Sequence, residues 1–275
     1  WNSNLAVSNI EKLTKKLKLD LFTEIIDWEQ VKDLQIALFK SGTPYLDLAQ
    51  DHAFFATMYN FANKYNIKWI LNGGNVSTEG IRNPKDWLYY GTDMSFLNDI
   101  KTRFCKTKLD KYPWSSIYKH KIYLRYIKKI KVFRLLNYVP YLKEEAKKTL
   151  QENYGWIPYP QKHFESRFTR FYESYWLPEK FGYDTRKVQY SSLILTNQMT
   201  REYALEKLKQ PAYNPETIHQ DFEYVATKLG ISVEELQSYM DAPNKTYKDY
   251  KSQENIYNIG AKIMRLLGLE KGGKR

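Results

Sequence analysis

The sequence predicts an α/β fold with parallel strands, followed by a mainly helical C-terminal region. Two observations favour this class. The first third of the chain alternates segments of helical period with short apolar runs, and the helical period dominates after Gly80. With 275 residues, 43% hydrophobic and 16% aromatic, the chain is large and apolar enough to bury a full core.

The elements of the first third have ordinary lengths for helices and strands. We predict helices at residues 4–17, 28–40 and 47–65, a β-rich run at 19–26 and an apolar strand at 67–71. The sequence begins at Trp1 directly on a helix, without a strand or glycine loop before it. We therefore expect a first β-α unit to be absent from these residues.

The remainder of the chain is predicted to be helical apart from turns and a short β-like run at 132–136. The predicted C-terminal helices cover residues 186–196, 200–209, 215–229, 232–239 and 254–267. Thr200 and Ser232 are suitable N-caps for two of them. We assign residues 1–140 to an N-terminally incomplete α/β domain and 141–275 to a helical region that completes the substrate site.

Composition excludes several classes of protein. The single cysteine, Cys105, excludes an internal disulfide and a cysteine-based zinc cluster within this chain. Histidines and carboxylates do not fall at metal-ligand spacing, so no metal site is predicted in these residues. No apolar run reaches the length of about 18 residues that a membrane-spanning helix needs, and no secretory segment opens the chain. We expect a cytoplasmic protein.

Much of the net charge of +12 comes from residues 101–131, which contain eleven Lys or Arg and one acid, Asp110. Aromatic residues are interleaved with these cations. Such a stretch suits nucleic acid, an anionic membrane surface or the phosphates of a nucleotide sugar. A solvated helix face explains the same charges equally well.

The most informative segment is residues 69–80, where an apolar strand ends in two glycines followed by Asn75, Ser77, Thr78 and Glu79. Ligands of open α/β sheets sit at the carboxyl ends of strands. Glycine allows close approach to a ligand, and short polar side chains can donate to phosphate or ribose. The alternative is a tight β-α turn with an N-cap.

Three further segments carry polar groups that suit a site. In the segment 161–171 we predict Lys162, Glu165 and Thr169 on one helix face, although an ordinary surface helix has the same spacing. The segment 177–187 is predicted to be a loop with cations beside a helix N-terminus, which suits phosphate, or else a solvated connector. Asp51 and His52, in the first turns of helix 47–65, suit acid-base chemistry or simply stabilise the helix dipole.

Five segments in this order along the chain carry a family resemblance: residues 50–53, 71–79, 162–170, 177–187 and 199–204. Together they resemble the N-acetyl sugar amidotransferase family, over roughly residues 1–213. The resemblance implies a HUP-type fold of the PP-loop ATP pyrophosphatases. It also implies a role in making the acetamidino sugars of lipopolysaccharide O-antigen, and similar proteins act on pseudaminic or legionaminic acid glycans.

The implied reaction is an amidation that uses ATP and Mg²⁺. The acetamido oxygen attacks the α-phosphate, pyrophosphate leaves, and ammonia then displaces AMP. By motif, the adenylate and substrate pocket is lined by Asn72, Gly73, Gly74, Asn75, Ser77, Thr78 and Glu79. Phosphate groups would be bound by Lys162, Lys180, Arg186 and Lys187. The other expected binding residues are Ser166, Thr169, Arg170, Asp184, Ser191 and Arg201. Besides Lys162, the candidate catalytic residues are His163, Glu165, Asp51 and His52.

Free ammonia is scarce in cells, so the resemblance implies a HisH-like glutaminase as a partner, in many systems with a HisF-like subunit as the conduit. Cys105 lacks the glycine elbow of a nucleophile, so the nitrogen source is expected to be another chain. The basic segment 101–131 is a hypothetical docking surface for it. The sequence leaves assembly into a homo-oligomer open.

The sequence also departs from the family pattern. The family begins with a cysteine-rich segment and a Ser-Gly-Gly-x-Asp-Ser phosphate loop, and neither occurs here. We expect the given sequence to be a fragment rather than an inactive copy. Tyr159-Pro-Gln161 stands where a glycine pair is expected, and Gln189-Tyr190 stands where His-Leu is usual.

Two other functions remain open. One is a PP-loop enzyme that modifies tRNA, for which tight, salt-sensitive tRNA binding would be the sign. The other is a non-catalytic basic module that binds nucleic acid or membrane. We expect no stable nucleic-acid complex, and a nucleotide sugar as the substrate.

Overall fold

A computed structural model describes residues 1–160 and 162–268 of the chain. Its α-helices are α1 Asn4–Leu17, α2 Trp28–Lys40, α3 Leu48–Lys64, α4 Val76–Glu79, α5 Met94–Phe104, α6 Lys143–Tyr154, α7 Arg167–Phe171, α8 Arg186–Leu195, α9 Arg201–Leu208, α10 Ile218–Leu229, α11 Val233–Asp241 and α12 Glu254–Leu266. Two strands are β1 Trp69–Leu71 and β2 Lys131–Phe133. Two π-helices cover Lys119–Ile127 and Tyr172–Phe181, and two short 3₁₀ turns cover Leu135–Asn137 and Tyr247–Asp249.

The chain folds into two compact units, and each is discontinuous in sequence. Of the described residues, unit 1 contains 1–25, 71–82, 132–160 and 162–237, and unit 2 contains 26–70, 83–131 and 238–268. Each unit thus combines residues from both sides of position 140. The assignment of residues 1–140 to an α/β domain and of 141–275 to a helical region that completes the substrate site stays a prediction.

The two strands form a small parallel sheet. The Lys131 N–H donates to the Lys68 carbonyl at 2.8 Å, and the Asn72 N–H donates to the Phe133 carbonyl at 2.9 Å. Parallel pairing was predicted, and it is confirmed. Among the described residues the sheet has only these two strands, so a HUP-type sheet is not seen there.

The predicted helices with a clear apolar period are confirmed. The first three predicted helices agree with α1 to α3 to within one residue at either end, and the five C-terminal ones agree with α8 to α12 to within about three residues. Thr200 caps α9 as predicted, with its side chain accepting from the Tyr203 N–H at 3.2 Å.

The predicted β-rich run at residues 19–26 is wrong. These residues form neither helix nor strand, and Ile25 is 89% exposed. Their alternating apolar pattern resembles a strand, but a strand needs a hydrogen-bonded neighbour, and none pairs with this segment in the described part of the chain.

The predicted helix at 161–171 starts later than expected. Gln161 lies outside the described residues, and residues 162–165 form a turn. The Ser166 side chain caps α7 by accepting from the Thr169 N–H at 3.2 Å. His163 has a φ of 66°, a left-handed conformation that a right-handed helix excludes. Lys162 and Glu165 therefore do not share a helix face with Thr169.

The predicted loop at 177–187 is helical in its first half. The second π-helix continues α7 through Pro178 and ends at Gly182, whose φ is 72°. Proline lacks the N–H of a regular helical turn and ordinarily breaks an α-helix, but here the chain adopts the wider π-helical spacing. Only residues 182–185 lie between this helix and α8.

In unit 1, α7 and the second π-helix pack their aromatic faces against α10. Phe168, Phe171 and Trp176 are buried, and the ring of Phe222 meets that of Phe171 edge-on at 5.7 Å. The N-terminal segment is tied to the same region, because the Ser3 N–H donates to the Glu165 carbonyl at 2.9 Å. These contacts fix the position of the turn that precedes α7.

In unit 2, α2 and α5 pack their buried leucine, phenylalanine and isoleucine side chains together. The buried carboxylate of Asp93 is fully hydrogen-bonded. It caps α5 through the Ser95 and Phe96 N–H groups and accepts from the Tyr89 hydroxyl at 2.8 Å and the Gln253 N–H at 2.7 Å. Such a network stabilises one arrangement of the unit.

Within residues 1–160 and 162–268, no helix combines the length and the apolar character needed to cross a membrane. In the same residues, no three His, Cys, Asp or Glu side chains come together in a way that could hold a metal ion.

Candidate functional site

The loop that follows β1 is a tight turn built by its own side chains. The Asn72 side chain accepts from the Gly74 N–H at 2.7 Å, and the Asn75 side chain caps α4 by accepting from the Thr78 N–H at 2.9 Å. The alternative of a tight β-α turn with an N-cap is therefore confirmed, and Asn75 is that N-cap. Apart from the two chain neighbours of Gly73, no atom of the described residues lies within 4 Å of where its Cβ would stand, so there is free space beside this backbone.

The short helix α4 is held against α8. The Ser192 hydroxyl accepts from the Ile81 N–H at 3.0 Å, and the Thr196 hydroxyl donates to the Ser77 carbonyl at 2.9 Å. Asn137 accepts from the Val76 N–H at 2.9 Å at the start of α4. These bonds fix the direction in which the end of α4 points.

An ion pair joins two of the predicted segments. The Lys162 ammonium lies 2.8 Å from the Glu79 carboxylate, and both side chains are partly exposed. Because Glu79 ends α4 and Lys162 begins the turn before α7, this pair brings the strand-end loop and the 162–170 segment together within unit 1.

His163 is paired with a carboxylate that the sequence did not single out. Its Nδ1 lies 2.9 Å from both carboxylate oxygens of Glu173, which projects from the second π-helix. Burial lowers the pKa of His163, but the hydrogen bond and the charge of Glu173 outweigh it, so the pKa is raised overall. A carboxylate that orients one ring nitrogen is the usual arrangement of a histidine that transfers protons.

A second group next to the ion pair was also missed by the sequence. It consists of Tyr141 and Lys143 at the start of α6, held by Gln198. Burial raises the pKa of Tyr141, and the charges of Glu79 and Glu144 raise it further. No local pattern marked these residues, because their contacts with Gln198 join positions more than fifty residues apart.

Several predicted phosphate-binding or polar residues are engaged in internal contacts. The Arg186 guanidinium bonds the Asp184 carboxylate, at 2.7 Å for the shortest contact, and the carbonyls of Lys207 and Gln210. Arg170 bonds the Asp221 carboxylate at 3.0 Å. Their guanidinium groups thus have structural partners, and their role in binding phosphate stays a prediction.

The other predicted residues lie at various places on unit 1. Ser166 and Thr169 are buried at the start of α7, and Ser191 donates to the Lys187 carbonyl within α8. Lys187 and Arg201 are exposed. Lys180 lies over the ring of Phe181 at 5.6 Å, and the Glu165 carbonyl accepts from Ser3.

Asp51 and His52 belong to unit 2. His52 is 3% exposed, and backbone groups bond both of its ring nitrogens. Nδ1 lies 2.6 Å from the Gly91 carbonyl, and Nε2 accepts from the Ser115 N–H at 2.9 Å. Burial lowers the pKa of His52 against the smaller effect of the Gly91 bond. This neutral imidazole is placed to hold two loops together, and its catalytic role stays a prediction.

A segment that includes α7 and Glu173 matches a known protein family. Residues 165–264 match the model of a family described as LPS biosynthesis protein WbpG-like, C-terminal domain. The match supports a relationship to lipopolysaccharide biosynthesis. The curated proteins that were compared give no match to this chain.

Proposed function

We propose that this chain forms the acceptor side of an ATP-dependent amidotransferase that converts the acetamido group of a nucleotide-linked sugar to an acetamidino group. The observation that carries the proposal is the Glu79–Lys162 ion pair, which joins the strand-end loop to the segment bearing the His163–Glu173 pair. The family match to lipopolysaccharide biosynthesis supports the choice of a sugar substrate.

The proposed chemistry proceeds in two steps because an amide oxygen is a poor leaving group. The amide oxygen forms a bond to the α-phosphorus of ATP, and the bond from that phosphorus to the pyrophosphate oxygen breaks. Ammonia then adds to the imidate carbon, and the carbon–oxygen bond breaks to release AMP, which carries away the former amide oxygen. The attacking nitrogen loses protons, so a base must stand near it.

His163 is the residue that we propose for this proton transfer. Glu173 holds Nδ1 and stabilises the imidazolium, which leaves Nε2 to accept a proton from the attacking nitrogen. The raised pKa brings the imidazole closer to neutral pH, where a general base is most effective. Lys162 would stabilise negative charge as the phosphate groups depart.

The residues present fit ATP and Mg²⁺ only in part. The open backbone at Gly73 and the cations near Glu79 suit a nucleotide phosphate, whereas the phosphate loop of the resembling family is not in this sequence. Mg²⁺ is usually held by one or two carboxylates together with phosphate oxygens, and Glu79 is the carboxylate that we propose for it. A glutaminase partner would supply the ammonia, with the basic segment 101–131 of unit 2 as its docking surface.

The test uses protein made from the complete reading frame, incubated with ATP, an ammonium salt and candidate nucleotide sugars. We expect AMP and a sugar product slightly lighter than the substrate, as replacement of oxygen by NH requires. A reaction without ammonium is the control and should yield no lighter product. Absence of both AMP and product across UDP- and CMP-linked acetamido sugars would overturn the proposal.

A further inference from the structure

Lys143 has an unusual position for a lysine. It opens α6 with its side chain about half buried, and within the described residues its ammonium makes no hydrogen bond or ion pair. The neighbouring carboxylate of Glu144 is taken by Lys147, at 2.8 Å. A partly desolvated ammonium without a close counter-charge is costly, so its environment favours an anion.

The backbone around Lys143 is held firmly in place. The Lys143 N–H donates to the Gln198 side-chain oxygen at 2.8 Å, and the Gln198 amide nitrogen donates to the Tyr141 carbonyl at 3.3 Å. Gln198 follows the end of α8, where Thr196 bonds the Ser77 carbonyl of α4. The start of α6 and the end of α4 are therefore fixed to the same part of α8.

The charges of neighbouring groups act on Lys143. Burial lowers the pKa of Lys143, and the charges of Lys147 and Lys162 lower it further, while Glu144 raises it. The Lys162 ammonium is bonded to Glu79, whose charge also acts on Tyr141. Lys143, Lys162 and Glu79 together carry two positive charges and one negative charge, which leaves an excess of one positive charge at the end of α4.

We propose that Lys143 and Lys162 form a subsite for a phosphoryl or pyrophosphoryl group, with Gln198 as the positioning residue for Lys143. Ammonium groups are common ligands of phosphate, and an anion here would neutralise the excess charge. The subsite deepens the proposed function and rests on it for one point, namely that the anion is a nucleotide phosphate or the departing pyrophosphate.

The experiment measures binding of inorganic pyrophosphate to the full chain by titration calorimetry, without turnover. We expect Lys143→Gln to weaken binding about tenfold, the size of one charge-assisted contact. Lys148→Gln is the matched control, because it removes the same charge from the same helix and its side chain is 73% exposed. The control should change affinity less than about twofold.

Two further variants protect the test against a folding defect. Lys143→Arg keeps the charge and should retain affinity within about threefold, with the same urea midpoint as the parent protein. Arginine also stays charged at high pH, so the loss of affinity in alkaline buffer should shift to higher pH in this variant relative to the parent. The other ionisable groups near this position are the same in the parent protein and in Lys143→Arg, so they affect the pH dependence of both proteins equally. They are Glu79, Tyr141, Glu144, Lys147 and Lys162.

Equal losses for Lys143→Gln and Lys148→Gln, or no binding of pyrophosphate to the parent chain, would overturn the subsite. The result is independent of the amidotransferase assay. Pyrophosphate binding that depends on Lys143 without AMP formation would keep the subsite and reject the proposed function. AMP formation by the parent protein, together with unchanged pyrophosphate affinity in Lys143→Gln, would keep the proposed function and reject the subsite.

Discussion

His52 in unit 2 and His163 in unit 1 differ in burial, in hydrogen-bond partners and in the direction of their pKa shifts. His52 is buried, its two nitrogens are bonded by backbone groups, and its pKa is lowered. His163 is paired with the Glu173 carboxylate through Nδ1 alone among the described residues, and its pKa is raised. His52 thus holds two loops together, whereas the carboxylate partner of His163 is the observation behind the proton-transfer role that we propose for it.

The largest expected effect is on the stability of the His52 region. Replacing His52 by Ala leaves the Ser115 N–H and the Gly91 carbonyl without their buried partner and opens a cavity. We expect the free energy of unfolding to fall by about 2–4 kcal/mol, measured by urea denaturation.

His163→Ala is the matched control for that measurement. Its side chain is more exposed and its bond to Glu173 is a single ion pair, so the free energy of unfolding should change by less than about 1 kcal/mol. If the two alanine variants lost equal stability, the contrast between a structural and a catalytic histidine would be wrong.

The second effect concerns activity. We expect His163→Gln to lower kcat for AMP formation about 100-fold, because glutamine cannot take up the proton from the attacking nitrogen. The measurement is AMP release by protein from the complete reading frame, with urea denaturation to show that the fold is intact. An unchanged kcat would remove His163 from the proposed reaction.

His52 and His163 also show how much of the candidate site could be predicted from the sequence. The neighbouring Asp51 suggested acid-base chemistry for His52, and the family resemblance implied a role for His163, so the sequence favoured both. The groups that decide between them are remote: Gly91 and Ser115 lie 39 and 63 positions from His52. Such contacts are set by tertiary packing, which periodicity does not encode.

Helices were predictable where their apolar period is long, as in α2 and α10, and the strand before the Gly73–Gly74 turn was predictable from its flanking residues. The prediction of a β-rich run at 19–26 was wrong because alternation of apolar residues alone does not supply a neighbouring strand to pair with. The turn at 162–165 was not predicted, because the spacing of the phenylalanines suggested a helix that the left-handed conformation of His163 interrupts. Glu173 and Lys143 were missed because their significance depends on residues brought near them by the fold.

The third effect concerns the partner of His163. Glu173→Gln removes the charge that raises the pKa of His163, so the imidazole should lose its proton at a lower pH. We expect about a tenfold lower kcat and an acidic limb of the pH–rate profile that moves toward lower pH. A pH profile that keeps its position would indicate that another group is the base.

The smallest expected effect is the pH dependence of stability in unit 2. Burial, together with the charge of Lys121, lowers the pKa of His120 to about 4. The folded state therefore binds fewer protons than the unfolded state once the pH falls below the ordinary histidine pKa, so stability is lost as the pH falls. We expect a loss of about 1 kcal/mol between pH 7 and 5.5.

His120→Phe should reduce that loss, and urea midpoints at several pH values measure it. His163 acts with the opposite sign, since its raised pKa gives stability that is present at low pH and lost as the pH rises through the folded value. If the urea midpoint fell equally with decreasing pH in the parent protein and in His120→Phe, His120 would not be the source of the pH dependence.

In the proposed reaction, the acetamido oxygen is transferred to phosphorus before nitrogen attacks, at the site that contains Lys162 and His163. The most direct test labels that oxygen with oxygen-18 in the nucleotide-sugar substrate and analyses the AMP by mass spectrometry. We expect the label to appear in the phosphate of AMP, one atom for each acetamidino product. Unlabelled AMP formed together with the acetamidino product would contradict it.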